Sequence, residues 1–409
     1  MKKAFVIIGI IIAIGVISFT FIRNVPHNVI AVKAKTMHPV SVNKETEKIV
    51  PSGFKFKKID FPLVMPFDTI NAYFDKASDT VWKLTWDPNS NFYTLYYFGV
   101  DNLKNGIITL KSTNDNPVKA GKVFSDAANI YAGVENTLFE INKKLRTVKE
   151  IKLPPVKFAI SKNLVPQTDC AEHYIIDMCK IGNDIAITRN CTSAILLYDM
   201  RSGKFSYLKL PESFGSVNRL LADNSRNFLF VTNFYSGDGS RMVENRFGYI
   251  DMRTKDFYIF DAPVKYLLEC CGTIYGITPG GGFFETGNDF EKIEFVSSKS
   301  LHIIASYIAS NKGLWFVGSD IPIDDSSGAS GGFRGGFSKP VEYVGLYLPN
   351  REVIEKQYLP LIEVYPTYPY GVKNKAPLKG ISSFAELFVK NDGTVILVRG
   401  GCDTVEITP

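Results

Sequence analysis

The feature that most constrains this chain is a strand pattern that recurs about every fifty residues. Residues 196–211 read LLYDMRSGKFSYLKLP, and residues 247–263 read FGYIDMRTKDFYIFDAP. In both, an apolar run ends in Asp-Met-Arg, a polar turn follows, and an aromatic-rich run ends at proline. Asp199 and Asp251 are predicted to bond the turn backbone, while a glycine or a flexible residue takes the unusual φ. The pattern predicts a β-hairpin that recurs along the chain.

Related closing strands occur seven times along the chain. They are GIITLKS (106–112), VKEIKLP (148–154), FSYLKLP (205–211), FYIFDAP (257–263), FEKIEFV (290–296), IEKQYLP (354–360) and DTVEITP (403–409). Between them lie short runs rich in Val, Ile, Tyr and Phe, broken by Gly, Asn and Asp, without helical periodicity over three turns. Such a chain is predicted to form many short antiparallel strands.

A fifty-residue unit of four strands resembles one blade of a β-propeller. The resemblance covers residues 54–409 and is to the broad group of bacterial extracytoplasmic repeat propellers, with no narrower family identified. It implies an all-β, seven-bladed ring. Six or eight blades are alternatives, and a two-sheet sandwich or two small β domains are the competing folds. FKFKKIDFP (54–62) also resembles a closing strand, so it is predicted to pair with the last blade and fasten the ring.

The first residues predict a membrane segment. Lys2 and Lys3 precede an uncharged apolar stretch, residues 4–22, and Arg23 follows it. About 20 apolar residues span a bilayer as a helix, and flanking cations stay on the cytoplasmic side. We therefore expect residues 1–22 to be a single-pass anchor in the cytoplasmic membrane, residues 23–53 a polar stalk, and the ring to be extracytoplasmic, either periplasmic or extracellular. A cleaved signal peptide, giving a secreted protein, is the alternative.

Charge and motifs disfavour several classes of partner. The net charge is +6, and no Lys/Arg run of the nucleic-acid type occurs, so no nucleic-acid partner is expected. The glycine-rich stretch TPGGGFFETG lacks the Gly-Lys-Ser/Thr of a phosphate loop, and SGDGS lacks the full calcium loop. No Cys-x-x-Cys pair occurs, so a zinc site is not expected. No other metal site and no cofactor is predicted.

The six cysteines are compatible with disulfides in an oxidising compartment. Cys170 lies in the loop that leads into the third blade, and Cys191 lies in the loop between the second and third strands of that blade. Because both loops open on one face, Cys170 and Cys191 are predicted to form a bridge. The pairing of the other four stays open: Cys179, Cys270, Cys271 and Cys402.

Candidate ligand-binding residues lie at the mouth of the central channel, which the first strand of each blade lines. The segments HYIID, NRLLA, KYLLE and HIIAS align as starts of first strands, and TINAY and SSFAE fit more loosely. The alignment places His173, Asn218, Lys265 and His302 around one mouth. These side chains are suited to an anion or a polar ligand, although polar residues also cap strands at any wet surface.

Two long insertions are predicted to lie on the face where the first strands begin, which we name the top face. They are residues 233–246 and 318–340, and each joins a second strand to a third. Loops on a rigid scaffold commonly carry recognition. The candidate contact residues within them are Arg241, Arg246, Phe333, Arg334 and Phe337.

The sequence therefore predicts a membrane-tethered binding module whose top face holds a protein or glycan partner. The alternative is an extracytoplasmic hydrolase or lyase at the channel mouth, with His173 and His302 as acid–base groups. A structural subunit of an envelope assembly is a third possibility. Propellers serve all three roles, so the fold alone does not decide between them.

Overall fold

The computed structural model describes most of the chain after residue 27. The described residues are 28–45, 49–59, 69–87, 92–100, 104–111, 121–160, 173–234, 246–260, 262, 264, 266–270, 273–278, 283–286, 290, 292–297, 303–310, 312–319, 342–348, 353–359, 385–399 and 404–408. The predicted anchor, residues 4–22, lies outside them. Within the described residues, no helix is long and apolar enough to cross a bilayer.

The described residues form 32 strands in seven sheets. Five strands precede the first complete blade: β1 (Asn28–Ala31), β2 (Lys33–Met37), β3 (Val40–Glu45), β4 (Ile49–Pro51) and β5 (Lys55–Ile59). Blades 1 and 2 follow as β6 (Thr69–Asp75), β7 (Thr80–Asp87), β8 (Phe92–Gly99), β9 (Asn105–Lys111), β10 (Gly121–Ser125), β11 (Asn129–Val134), β12 (Thr137–Asn142) and β13 (Val148–Lys152).

The remaining blades repeat the same antiparallel order. Blade 3 is β14 (Ile175–Ile181), β15 (Asp184–Arg189), β16 (Ala194–Asp199) and β17 (Lys204–Lys209), and a 3₁₀ turn at Glu212–Phe214 leads on. Blade 4 is β18 (Ser216–Asp223), β19 (Phe228–Phe234), β20 (Phe247–Asp251) and β21 (Asp256–Phe260). Blade 5 is β22 (Tyr266–Cys270), β23 (Thr273–Ile277), β24 (Phe283–Thr286) and β25 (Lys292–Ser297). Blade 6 is β26 (Ile303–Ser310), β27 (Gly313–Ser319), β28 (Glu342–Leu348) and β29 (Val353–Tyr358).

The last blade is built from both ends of the described chain. It contains β30 (Ala385–Val389), β31 (Val395–Arg399) and β32 (Thr404–Thr408), and β5 pairs antiparallel with β32 as its outermost strand. Innermost strands of successive blades contact each other from blade 1 to blade 7 and back to blade 1. The protein is therefore an all-β, seven-bladed propeller, as the repeat predicted.

The fastening strand lies where FKFKKIDFP predicted it. Phe54, which precedes β5, is only 4% exposed, and its ring lies 5.0 Å from that of Trp315 in blade 6. One detail of the sequence reading was wrong. DTVEITP is the third strand of blade 7 and not its closing strand, because the closing position is taken by β5. Seven closing strands remain, with β5 in place of β32.

The segment predicted as a polar stalk joins the blades in its described part. Strands β1, β2, β3 and β4 pair in parallel with β17, β21, β25 and β29, the outermost strands of blades 3, 4, 5 and 6. We name these four strands the belt. Its side chains are mostly exposed in β1 and β2. These short strands, with few buried side chains in β1 and β2, form here because an existing sheet edge supplies the backbone partners.

The Asp-Met-Arg hairpins are turns, as predicted. The Asp199 carboxylate accepts the Arg201 N–H at 2.8 Å, and the Asp251 carboxylate accepts the Arg253 N–H at 2.8 Å. Four residues after each Asp, Gly203 and Lys255 adopt φ of +67° and +63°. Asn142 and Arg146 repeat this geometry in blade 2.

Candidate functional site

The wall of the central channel carries a repeated side-chain acceptor. An innermost strand has no strand on its inner side, so some of its backbone N–H groups need other partners. Three acceptors on the preceding blade supply them. They are Asn71 to the Val123 N–H at 2.9 Å, Asp177 to the Leu220 N–H at 3.0 Å, and Glu386 to the Ala72 N–H at 3.1 Å.

Irregular pairing between the first and second strands of a blade sets the direction of several polar side chains. The register between the first two strands shifts just before Asn71, Asp177 and Arg219. A bulge of this kind rotates the following residue relative to regular pairing. The three bulges thus place polar residues of blades 1, 3 and 4 on the channel wall, beside the next blade.

Charged groups of both signs share this part of the molecule. Lys122 of blade 2 lies with Nζ 3.4 Å from Asp177 Oδ1 of blade 3. Lys83, on the second strand of blade 1, is only 1% exposed. Arg219 of blade 4 lies over the ring of Tyr266 in blade 5, 5.3 Å from its centroid. With Glu386 and Asn71, these side chains make the channel wall polar on blades 7, 1, 2, 3 and 4, which follow one another around the ring.

Glu386 shows the electrostatic balance of the channel. Burial raises the pKa of its carboxyl above the ordinary value, because the charged form loses solvation. The Ala72 N–H and the positive charges of Lys122, Lys83 and Arg219 act in the opposite direction. The net shift is upward, so desolvation outweighs the neighbouring cations at this carboxyl.

The structure describes two of the four predicted mouth residues. His173 precedes β14, and its ring Nδ1 lies 2.9 Å from the Asn190 carbonyl in the loop between the second and third strands. Asn218 lies in β18 at the register shift, half-buried. Both are at the beginnings of neighbouring innermost strands. Lys265 and His302 lie outside the described residues, so the hydrolase or lyase alternative stays a prediction.

Both long insertions begin and end on the top face. Residues 235–245 connect β19 with β20, and residues 320–341 connect β27 with β28. Hydrogen bonds join the two residues at the ends of the first insertion. The Asn233 N–H donates to the Arg246 carbonyl at 3.0 Å, and the Arg246 N–H donates to the Asn233 side chain. The other contact candidates lie outside the described residues: Arg241, Phe333, Arg334 and Phe337.

Residues 158–160, which we name the strap, bond the loop between the second and third strands of blade 3. The Ile160 N–H donates to the Cys191 carbonyl at 3.0 Å, and the Ser193 N–H donates to the Phe158 carbonyl at 3.1 Å. Cys191 is 3% exposed beneath this strap. Cys170, its predicted partner, lies outside the described residues, so the bridge stays a prediction. Cys179 is a free cysteine in β14, and burial raises the pKa of its thiol.

The sequence located the channel strands but not the residues that act within them. The prediction weighed the first residue of each strand, whereas the polar contacts come from later ones: Asn71 in TINAY, Asp177 in HYIID, Arg219 in NRLLA and Glu386 in SSFAE. Lys122 lies in β10, a strand that no aligned segment identified. A polar residue in the middle of a buried apolar strand was the available signal. Among the described residues, no group of three His, Cys, Asp or Glu side chains is placed to hold a metal ion.

Comparison with known proteins defines the fold only. No family model and no curated protein matches the chain. The chain is similar in structure to two crystal structures of the extracellular domain of BT4673 from B. thetaiotaomicron, described as a one component system and as a hybrid two component system. The first match has a TM-score of 0.51 at 12% identity and covers 86% of this chain, and the second has 0.50 at 13% and 86%. This chain spans 40% and 39% of those chains.

A third similar structure belongs to the Mitotic Checkpoint Complex. Its TM-score is 0.52 at 11% identity, with 86% of this chain and 91% of that chain covered. At these identities the three likenesses establish the propeller architecture. They agree with the closed ring of seven sheets.

Proposed function

We propose that this protein is a membrane-tethered, extracytoplasmic binding module whose top face holds a protein or glycan partner. The observation that carries the proposal is the position of the two long insertions. They connect the second strand with the third in blades 4 and 6, so their ends lie on the face where the innermost strands begin. Both blades are built on buried apolar clusters, so we expect the insertions to act as recognition loops on a rigid support.

The recognition surface in this proposal combines the insertions with the channel mouth. His173 and Asn218 provide polar groups at the mouth, and Arg246 stands at the base of the first insertion. Lys265, His302, Arg241, Phe333, Arg334 and Phe337 complete the proposed set. Arginine and aromatic side chains are enriched where protein partners bind, and aromatic rings also stack on sugars.

The proposed location rests on the N-terminal sequence. Residues 4–22 are apolar, uncharged and long enough to span a bilayer, with Lys2 and Lys3 on the cytoplasmic side. The BT4673 domains are likewise extracellular parts of their proteins. A bridge between Cys170 and Cys191 belongs to the same proposal, because such a bond persists in an oxidising compartment. Six titratable thiols in the denatured, unreduced protein would exclude that bridge.

The test uses the full chain in detergent with a glycan array and with affinity capture from an envelope extract. Residues 320–341 are replaced by a short Gly-Ser linker that leaves Ser319 and Glu342 in place. We expect the bound glycan or protein signal to fall at least tenfold. Leu145→Ser, on an exposed turn of the opposite face, is the matched control and should bind normally. Equal binding by the loop variant would remove this insertion from the recognition surface.

A further inference from the structure

Among the described residues, no strand pairs with the outermost strand of blade 2, unlike those of blades 3 to 6. Each of those blades carries a belt strand on its fourth strand, whereas β13 ends the sheet of blade 2 within the described part of the chain. The side chains from residue 144 to residue 150 are all exposed, and Val148 is 42% exposed. A regular sheet edge of this kind offers backbone partners to another strand.

The hydrogen-bond alternation shows which backbone groups of β13 face outward. Two bonds bracket the hairpin ladder, from the Asn142 N–H to the Thr147 carbonyl at 3.0 Å and from the Leu153 N–H to the Asn136 carbonyl at 2.9 Å. Bonds in an antiparallel ladder alternate along the strand. Lys149 and Ile151 therefore bond β12, while Val148, Glu150 and Lys152 direct their N–H and carbonyl groups away from the blade.

The belt strand β2 and the fastening strand β5 show how this protein adds a strand to a blade. Lys35 of β2 lies with Nζ 2.9 Å from Asp256 of β21, and Lys57 of β5 lies 3.5 Å from Glu406 of β32. In both places, a lysine on the added strand faces a carboxylate on the outer strand of the blade. Opposite charges on neighbouring strands favour one pairing over others.

The exposed charges of this hairpin are mostly basic, in contrast to the outer strands just described. Lys144, Lys149 and Lys152 are exposed, against one exposed carboxylate, Glu150. Lys149 contacts Glu140 at 3.0 Å, but its side chain remains 64% exposed. An added strand that complements these lysines carries Asp or Glu, not the lysines that the belt uses. The basic edge thus selects a segment of different composition from the belt.

We propose that β13 is the docking edge for an extended acidic segment of a partner protein, which adds to blade 2 as a fifth strand. The backbone groups of Val148, Glu150 and Lys152 supply the pairing, and the lysines supply the preference for acidic side chains. This mode of recognition adds a strand to an exposed edge, with backbone bonds for affinity and side chains for selectivity. It acts on the outer rim, away from the top face, and does not depend on the top-face proposal.

The experiment measures binding of a fluorescein-labelled ten-residue peptide of alternating valine and glutamate to the full chain by fluorescence anisotropy. Glu150→Pro removes one outward N–H, and we expect it to weaken binding at least tenfold. Glu150→Gln makes the same change of charge with the backbone intact, so it should bind as tightly as wild type or tighter. The double variant Lys149→Glu/Lys152→Glu tests the charge preference separately and should also weaken binding.

Other occupants of the edge give different results. Equal peptide binding by Glu150→Pro and Glu150→Gln would overturn strand addition. Binding to phosphatidylserine vesicles, lost in the lysine double variant and kept in Glu150→Pro, without peptide binding would assign the edge to a lipid surface instead. Concentration-dependent dimers in sedimentation that Glu150→Pro abolishes would assign it to a second copy of the chain. Thermal unfolding by circular dichroism verifies that each variant keeps the propeller.

Discussion

Blades 1 and 2 share a buried apolar cluster, and charges and hydrogen bonds supplement it at their boundary, which we name the polar boundary. Asp75 of blade 1 lies 2.6 Å from Lys143 Nζ of blade 2, and Tyr93 donates to the buried Glu135 carboxylate at 3.0 Å. Ser125 of blade 2 also donates to Asp75, at 3.1 Å. These contacts depend on geometry and on ionisation, so this boundary is sensitive to pH and to single polar substitutions.

Blades 4 and 5 meet mainly through aromatic rings. Phe247 stacks on Phe284 with centroids 5.4 Å apart, and Phe290 lies 5.6 Å from Phe230 and 5.0 Å from Tyr249. Both of these blades also carry a belt strand, whereas blades 1 and 2 do not. Among the described residues, the ring therefore combines a region with an aromatic boundary and belt strands on its rim with a region where polar contacts supplement the apolar packing and no belt strand is paired.

The largest effect is expected at the aromatic boundary. Phe247 is fully buried and stacks on both Phe260 and Phe284. Phe247→Ala should lower the free energy of unfolding by about 3–5 kcal/mol, because it removes buried area and leaves a cavity. Urea unfolding followed by tryptophan fluorescence measures it. Tyr358→Ala, at a ring that is 44% exposed, is the control and should cost less than about 1 kcal/mol. Similar losses in the two variants would refute the contrast.

A smaller loss is expected at the polar boundary. Lys143→Gln removes the cation that faces the buried Asp75 carboxylate, and we expect the unfolding free energy to fall by about 2 kcal/mol. Lys144→Gln, at the exposed neighbouring position, should change it by less than about 0.5 kcal/mol. If both lysine variants unfold at the same urea concentration, the ion pair does not hold blades 1 and 2 together.

The polar boundary also predicts a pH dependence. Burial raises the pKa of Asp75, but hydrogen bonds from Lys143, Ser78 and Ser125 outweigh it and hold the pKa below the ordinary value. A lowered folded-state pKa stabilises the fold above the unfolded pKa of about 3.9, and this stabilisation is lost as pH falls toward the folded value. The urea midpoint of wild type should therefore drop below pH 4. Asp75→Asn should show a shallower drop, and an unchanged slope would exclude Asp75 as its source.

The seven-bladed architecture was predictable because each closing strand repeats a local requirement. Asp199 and Asp251 form the same turn, and the aromatic runs after them fill the spaces between blades. The belt was not predictable in the same way. Its strands have three to six residues and mostly exposed side chains in β1 and β2, so they carry no apolar alternation of their own. Their conformation comes from pairing with distant blade edges.

The candidate site was predictable to the level of the strand and not of the side chain. A strand start such as that at His173 is polar for many reasons, whereas Asp177 is polar inside a buried strand because it has partners on both neighbouring blades, Lys122 and the Leu220 N–H. The Leu220 N–H lies in the next blade, 43 residues away. Local patterns identify the strands, but only the ring brings a side chain to the backbone of its neighbour.

The belt should be the first part of the described ring to open. Lys33–Met37 is bonded on one side to β21, and four of its five residues are exposed. Local opening costs least where few apolar groups are buried. Hydrogen exchange followed by mass spectrometry should show β2 exchanging at least tenfold faster than β20, in the middle of the same sheet. Equal protection of the two strands would mean that the belt is an integral part of blade 4.

The smallest effect is expected at the open rim of blade 2. Glu150→Pro removes an N–H that faces away from the sheet, so the unfolding free energy should change by less than about 0.5 kcal/mol. Ile151→Pro, one residue along, removes an N–H that bonds β12 and should cost about 3 kcal/mol. This alternation follows from the bonds at the two ends of the β12–β13 ladder. Equal costs at the two positions would mean that both N–H groups are already bonded, and the rim of blade 2 would then have no free edge for a partner strand.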